Sequence, residues 1–148
     1  MTVNSLTGRP GHSAEVRIRG VGSVNGEWRV IGLERSGRKV TDSYYKKVVE
    51  YVLAHINKER LDEAKSTENS RVILARTAMG YYVTNVACHN LLAGLNEMSY
   101  IQTQGINGPI WALIALNSHG YEPTGNVTRE KLILSILDAQ LIDGGWAL

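Results

Sequence analysis

The chain has 148 residues, enough for one domain with its own core, and its composition (43% hydrophobic, 20% charged) is ordinary for a globular protein. A net charge of +2 is too small to argue for a nucleic-acid partner. A single cysteine, Cys88, rules out an internal disulfide framework, and no apolar run approaches the ~18 residues that a bilayer-spanning helix needs.

Residues 1–25 read as a leader. Glycines at 8, 11, 20 and 22 disfavour a stable helix, and the alternation Glu15-Val16-Arg17-Ile18-Arg19 suggests a short extended arm. The opening Met1-Thr2-Val3-Asn4-Ser5 lacks the charged-then-apolar order of a secretory signal. From residue 26 onward a repeat emerges. Trp28–Gly37 aligns with Arg71–Gly80 and with Trp111–Gly120, and the closing glycines lie 43 and 40 residues apart. Each segment predicts a short apolar helix ended by a left-handed glycine.

A second helix is predicted after each glycine. The first spans 43–57, with a core stripe of Val49, Val52, Leu53 and Ile56 and a cap at Thr41 or Asp42. The second spans 85–98, capped by Thr84, with Leu91, Leu92, Leu95 and Met98 inward. The third spans 128–141, capped by Thr128, with Glu130 favourably placed in the first turn and a stripe of Ile133, Ile136, Leu137, Gln140 and Leu141. With no phenylalanine in the chain, Tyr, Trp and Leu must fill the large core positions. Two helices per period of ~40 residues indicate stacked hairpins, none of which can bury its apolar face alone. The expected fold is therefore all-α, with about three hairpins over residues 26–148.

The chain closes on Gln140-Leu141-Ile142-Asp143-Gly144-Gly145-Trp146. Related pieces, Asn25-Gly26-Glu27-Trp28 and Asn107-Gly108-Pro109-Ile110-Trp111, open the first and third Gly-terminated helices. The closing segment resembles the Gln-x-x-Asp-Gly-x-Trp repeat of squalene and hopene cyclases, in the terpenoid-cyclase/protein-prenyltransferase superfamily of α/α toroids. That resemblance implies a partial α/α toroid in which Gln140, Asp143, Gly144 and Trp146 form a structural joint between one repeat and the next. It also implies continuation past Leu148. The 65–71, 105–116 and 128–131 stretches, with the closing run, further resemble bacterial surface or secreted proteins that carry such repeats, which implies an extracellular or cell-surface location. HEAT-type solenoids share the ~40-residue period but not this joint.

Catalytic motifs of the superfamily are missing from the sequence. There is no Asp-x-Asp-Asp acid motif, and no Cys-Gly-Glu-Gln thioester segment. Adjacent Cys88 and His89 point ~100° apart on a helix and cannot readily chelate one ion together, so no metal or other cofactor is expected, and Cys88 is expected to be buried. The acidic cluster of Glu59, Asp62 and Glu63 sits among Lys58, Arg60 and Lys65 and reads as a solvated helix end. Ser66, Thr67 and Ser70 read as caps. Arg71 stands where the other repeats have Trp, and Arg76 where they have Leu33 and Leu116. A buried arginine needs a partner, and Glu68 lies three residues before Arg71. The candidate binding residues are Glu68, Arg71, Tyr100, Gln104, Asn107 and Trp111, a set of amides, aromatics and one ion pair that would suit a small-molecule, sugar or peptide ligand.

The functional expectation is a non-catalytic ligand- or protein-binding or structural repeat module of a bacterial surface-type protein. The alternative is a fragment of a cyclase- or prenyltransferase-like enzyme whose catalytic residues lie in other repeats. An open stack of hairpins leaves apolar ends, so a homodimer, or pairing with other copies of such repeats, is expected.

Overall fold

The structure, a computed structural model, describes residues 20–21, 26–40 and 42–147. Of the leader, only Gly20 and Val21 fall among these, and Val21 packs against the core. The cap expected at Thr41 lies outside the described residues.

The described chain is all-α. Its helices are α1 (Gly26–Arg35), α2 (Asp42–His55), α3 (Ser66–Ala78), α4 (Met98–Ile101), α5 (Asn107–Asn117) and α6 (Arg129–Asp138), with 3-10 turns at Leu91–Leu95 and Gln102–Gln104. The three Gly-terminated helices lie side by side, α3 in the middle against both α1 and α5, and α6 packs on α5. Their ends close identically. Gly37, Gly80 and Gly120 take φ of +77°, +76° and +63°. The next amide then reaches back to the same carbonyl in each repeat: Arg38 to Leu33 at 3.0 Å, Tyr81 to Arg76 at 2.9 Å, and Tyr121 to Leu116 at 2.8 Å. This is the six-to-one bond of a Schellman closure, and it repeats in the register read from the sequence.

The connecting helices differ from expectation in three ways. First, α2 turns a different face inward. Tyr44, Val48 and Val52 are buried, Val49 and Ile56 only partly, and Leu53 is 58% exposed. The helix is rotated by roughly a quarter turn, because the large Tyr44 ring takes a core position and sets the phase.

Second, no helix runs over 85–98. Val86 and His89 instead exchange backbone hydrogen bonds of 2.8 and 3.0 Å around Ala87 and Cys88, both at positive φ. Asn57 and Arg60 do the same around Lys58 and Glu59. Two consecutive left-handed residues are a type I′ turn, which no helix can pass through. Leu91, Leu92 and Leu95 are buried as expected, but on a 3-10 turn capped by Asn90, whose side chain accepts from Leu92 N–H at 3.1 Å. Gly94 permits this close approach, since a Cβ there would stand 2.2 Å from both the Asn69 side chain and the Glu59 carbonyl. Cys88, expected in the core, is exposed on the turn.

Third, α6 begins as predicted, with Thr128 accepting from Lys131 N–H at 3.2 Å. Its own backbone N–H and then the Thr128 hydroxyl hold the Glu130 carboxyl below the usual range. Only Leu132 of this helix is buried, however. Ile133 and Leu137 of the expected stripe are exposed, as are Gln140 and Leu141 just beyond it.

Asn69, fully buried on α3, ties the Asn57–Arg60 turn and the 3-10 segment at Leu91 to the helix stack. Its side chain accepts from Leu61 N–H at 2.9 Å and donates to the carbonyls of Glu59 at 2.9 Å and Leu91 at 3.0 Å. Truncation would strand three backbone groups in a dry site. Asn69→Ala is expected to destabilise the fold by about 3–5 kcal/mol, read as a lowered urea midpoint with an unchanged slope.

Candidate functional site

Trp28, Arg71 and Trp111 occupy one repeat position on three adjacent helices. The Trp28 and Trp111 rings meet with centroids 4.9 Å apart at 57°. Adjacent helix axes lie ~8–10 Å apart, so indoles from the two flanking helices can touch only across the face of α3 that carries Arg71. The row of helices is closed over at this level by the two rings.

Charges gather at the same level. Arg71 is hydrogen-bonded and ion-paired with Glu68, both largely buried, and the Tyr51 hydroxyl donates to the same carboxylate at 3.5 Å. Glu27, in the first turn of α1, is buried, and its carboxylate faces the Tyr44 hydroxyl. Burial, followed by the charge of the nearby Glu27, raises the Tyr44 pKa far above its usual value. Tyr51 is pushed up to about 12, by burial first and then by Glu68 and Glu27. The expected Glu68–Arg71 pair is thus present, joined by Glu27, Tyr44 and Tyr51. These three were missed because an acidic residue in a first turn reads as a dipole companion, and tyrosines on an amphipathic helix read as ordinary core.

The other candidate residues serve different ends. The Gln104 side-chain carbonyl accepts from Thr67 N–H at 3.1 Å, so it caps α3 from across the fold. The expected local cap is absent: Lys65 makes no side-chain cap bond, while Ser66 and Ser70 point their hydroxyls at the carbonyls of Ile101 and Ser66. The Tyr100 hydroxyl donates to the Asp62 carbonyl, and the Arg60 guanidinium lies 4.0 Å above its ring. Burial raises the Tyr100 pKa to about 12 despite Arg60. Asn107 is the first residue of α5. Tyr100 and Gln104 therefore fix the start of α3 and do not join Trp111 in one binding surface.

Arg76 is 2% exposed, and its partners are two donations to the Tyr82 carbonyl at 3.0 and 2.8 Å, with the Tyr45 and Tyr81 rings against the guanidinium. His89 faces Glu59 at 3.3 Å, joining the two tight turns. No group of three His, Cys, Asp or Glu able to hold a metal ion occurs among the described residues.

The joint is built as a hydrogen-bonded loop. Gln140 Nε2 donates to the Gly144 carbonyl at 2.8 Å, and Leu141 N–H donates to Gly145 at 2.8 Å. Asp143 accepts from Gly145 N–H at 3.0 Å. The Trp146 indole N–H reaches back 2.7 Å to the Ile136 carbonyl, a group left over in the last turn of α6. Glutamine and tryptophan thus fasten the chain leaving a helix onto that helix.

The largest apolar exposure lies on the last hairpin. Ile114, Ile133, Leu134, Leu137, Leu141, Ile142 and Trp146 are all exposed. Beside them runs a shallow groove of about 340 Å³, bounded by Met98, Gln102 and Asn126 on one side and by Lys131, Leu134, Ser135 and Asp138 of α6 on the other.

Comparison with protein-family models, curated proteins and solved structures found no match to this chain.

Tyr44, Tyr51 and Tyr100 all hold their protons more tightly folded than unfolded, where the usual value is 10.0. Their contribution to stability is complete below pH 10; that of Tyr51 and Tyr100 is lost as pH rises from about 10 to about 12, and that of Tyr44 persists to still higher pH. Urea midpoints are expected to hold up to pH 9.5 and then fall steeply, and Tyr51→Phe is expected to flatten that fall.

Proposed function

We propose that this chain is a non-catalytic helical-repeat module, built from toroid-type hairpins, that acts by binding a protein partner at the open end of its helix stack. The observation that carries the reading is the division of labour between its polar and apolar groups. Its densest polar cluster is internal, with Glu68 spent on Arg71 and Tyr51, while Gln104 and Tyr100 hold the start of α3. What the molecule presents outward is the apolar side of its last hairpin. An exposed apolar patch of this extent marks an interaction surface. Partners of matching build, copies of this chain or other hairpin repeats, suit such a surface best.

Support for the toroid relation comes from the joint at Gln140–Trp146 and from three helices ended by the same closure in one register. By the same relation the module belongs to a bacterial surface-type protein. Among the described residues no helix is long and apolar enough to cross a membrane.

The competing reading, a piece of a cyclase- or prenyltransferase-type enzyme, is tested directly. The full chain is incubated with farnesyl diphosphate and Mg²⁺, with diphosphate release followed enzymatically and binding followed by calorimetry. No release and no saturable heat are expected. Turnover, lost on Glu68→Gln or Arg71→Met, would overturn the module reading.

A further inference from the structure

The repeat register shows that the two ends of the stack are built differently. At the positions where α3 has Val72 and Ala75, and α5 has Ala112 and Ala115, all buried, α1 has Arg29 and Gly32, both exposed. Small or apolar residues there admit a preceding helix; Arg29 does not. The opposite side keeps its apolar character to the last repeat. Val30 and Ile73 are buried, but their counterpart Leu113 is only partly so. Ile31 and Leu74 pack against the core, while their counterpart Ile114 is 44% exposed. One end of the stack is finished with a charge and the other is open.

The open end continues onto α6. Leu132 points inward, and Ile133, Leu134 and Leu137 occupy the opposite side of the helix. Together with Ile114, Leu141, Ile142 and Trp146 they expose close to four whole side chains' worth of apolar surface. At ~200 Å² for each large side chain this is on the order of 700–800 Å², close to one partner's share of a standard interface.

The charges on α6 indicate what fits there. Lys131 and Asp138, seven residues apart, lie on one stripe with Leu134 midway between them, along the edge of the groove. If a second α6 runs antiparallel across a two-fold axis near Leu134, each Lys131 stands opposite the other copy's Asp138. The stripe is complementary to itself, as a closed two-fold interface requires. Head-to-tail stacking would instead press the apolar face onto Arg29.

We propose that the open end is covered by the same face of a second copy of this chain, with α6 packed antiparallel on α6 about a two-fold axis between Leu134 and Ser135. The proposal rests on reading the chain as an interaction module and names its partner.

Sedimentation equilibrium on the full chain at 1–50 μM is expected to give a dimer, and Leu137→Glu a monomer with an unchanged circular dichroism spectrum. Lys131→Glu and Asp138→Lys each place like charges across both halves of the interface, and each is expected to raise the dimer Kd at least about tenfold. Mixed one to one, the two variants restore both ion pairs and should dimerise as the wild type does. A wild-type monomer across this range overturns the proposal, as does a dimer indifferent to all three substitutions. Single variants that weaken association without rescue on mixing overturn the two-fold pairing. None of these outcomes bears on diphosphate turnover, so the proposal and the non-catalytic reading fail separately.

Discussion

A helix buried between two others must have its polar groups met from outside, and the rest of this structure is arranged around that requirement at α3. Ser66, Asn69, Ser70 and Arg76 of this helix are all at most 2% exposed. Their partners lie away from solvent: Asn69 in the Glu59 and Leu91 carbonyls and the Leu61 amide, Ser66 in the Ile101 carbonyl, Ser70 in the Ser66 carbonyl, and Arg76 in the Tyr82 carbonyl, with its Nη1 left without a partner. An unmet buried group costs more than a met one contributes, so these bonds act chiefly as conditions on the fold. They fix where the chain can cross α3, and the connection after Gly80 is accordingly a tight turn and a 3-10 segment.

The same requirement separates structural polarity from functional surface. Glu68 and Arg71, the most suggestive charged pair in the sequence, are largely buried with Glu27, Tyr44 and Tyr51 nearby. Phenols raised by burial remain protonated through the neutral range, and Tyr51 donates its proton to Glu68. The cluster holds three helix starts together. Exposed apolar side chains are concentrated on the last hairpin, with Trp28, Leu53, Tyr81 and Tyr82 exposed elsewhere.

The parts of this fold that were legible in the sequence are those governed by neighbours in the chain. Gly37, Gly80 and Gly120 mark helix ends because a left-handed residue is needed there, and Thr128 marks a start because its own hydroxyl reaches Lys131 N–H. The joint from Gln140 to Trp146 is likewise a closed set of short-range bonds. Elements that depended on distant packing went astray. The leucines at 91, 92 and 95 suit a helix by spacing, yet Ala87 and Cys88 adopt positive φ in a tight turn, and Asn69 of α3 holds the Leu91 carbonyl of the 3-10 segment that follows. The stripe on α6 has a proper amphipathic spacing, yet Leu132 is the residue turned inward, and Ile133 and Leu137 are exposed.

The sequence by itself determined the helical class, the repeat register and the local closure of each helix, because these follow from backbone conformation and hydrogen bonds within a few residues. Tertiary structure decided which polar residues are structural and which apolar face is left open. Gln104 became the cap of α3, and Trp28 met Trp111, through contacts 37 residues or more apart in the chain. Burial and exposure are properties of the packed stack, and no local pattern encodes them.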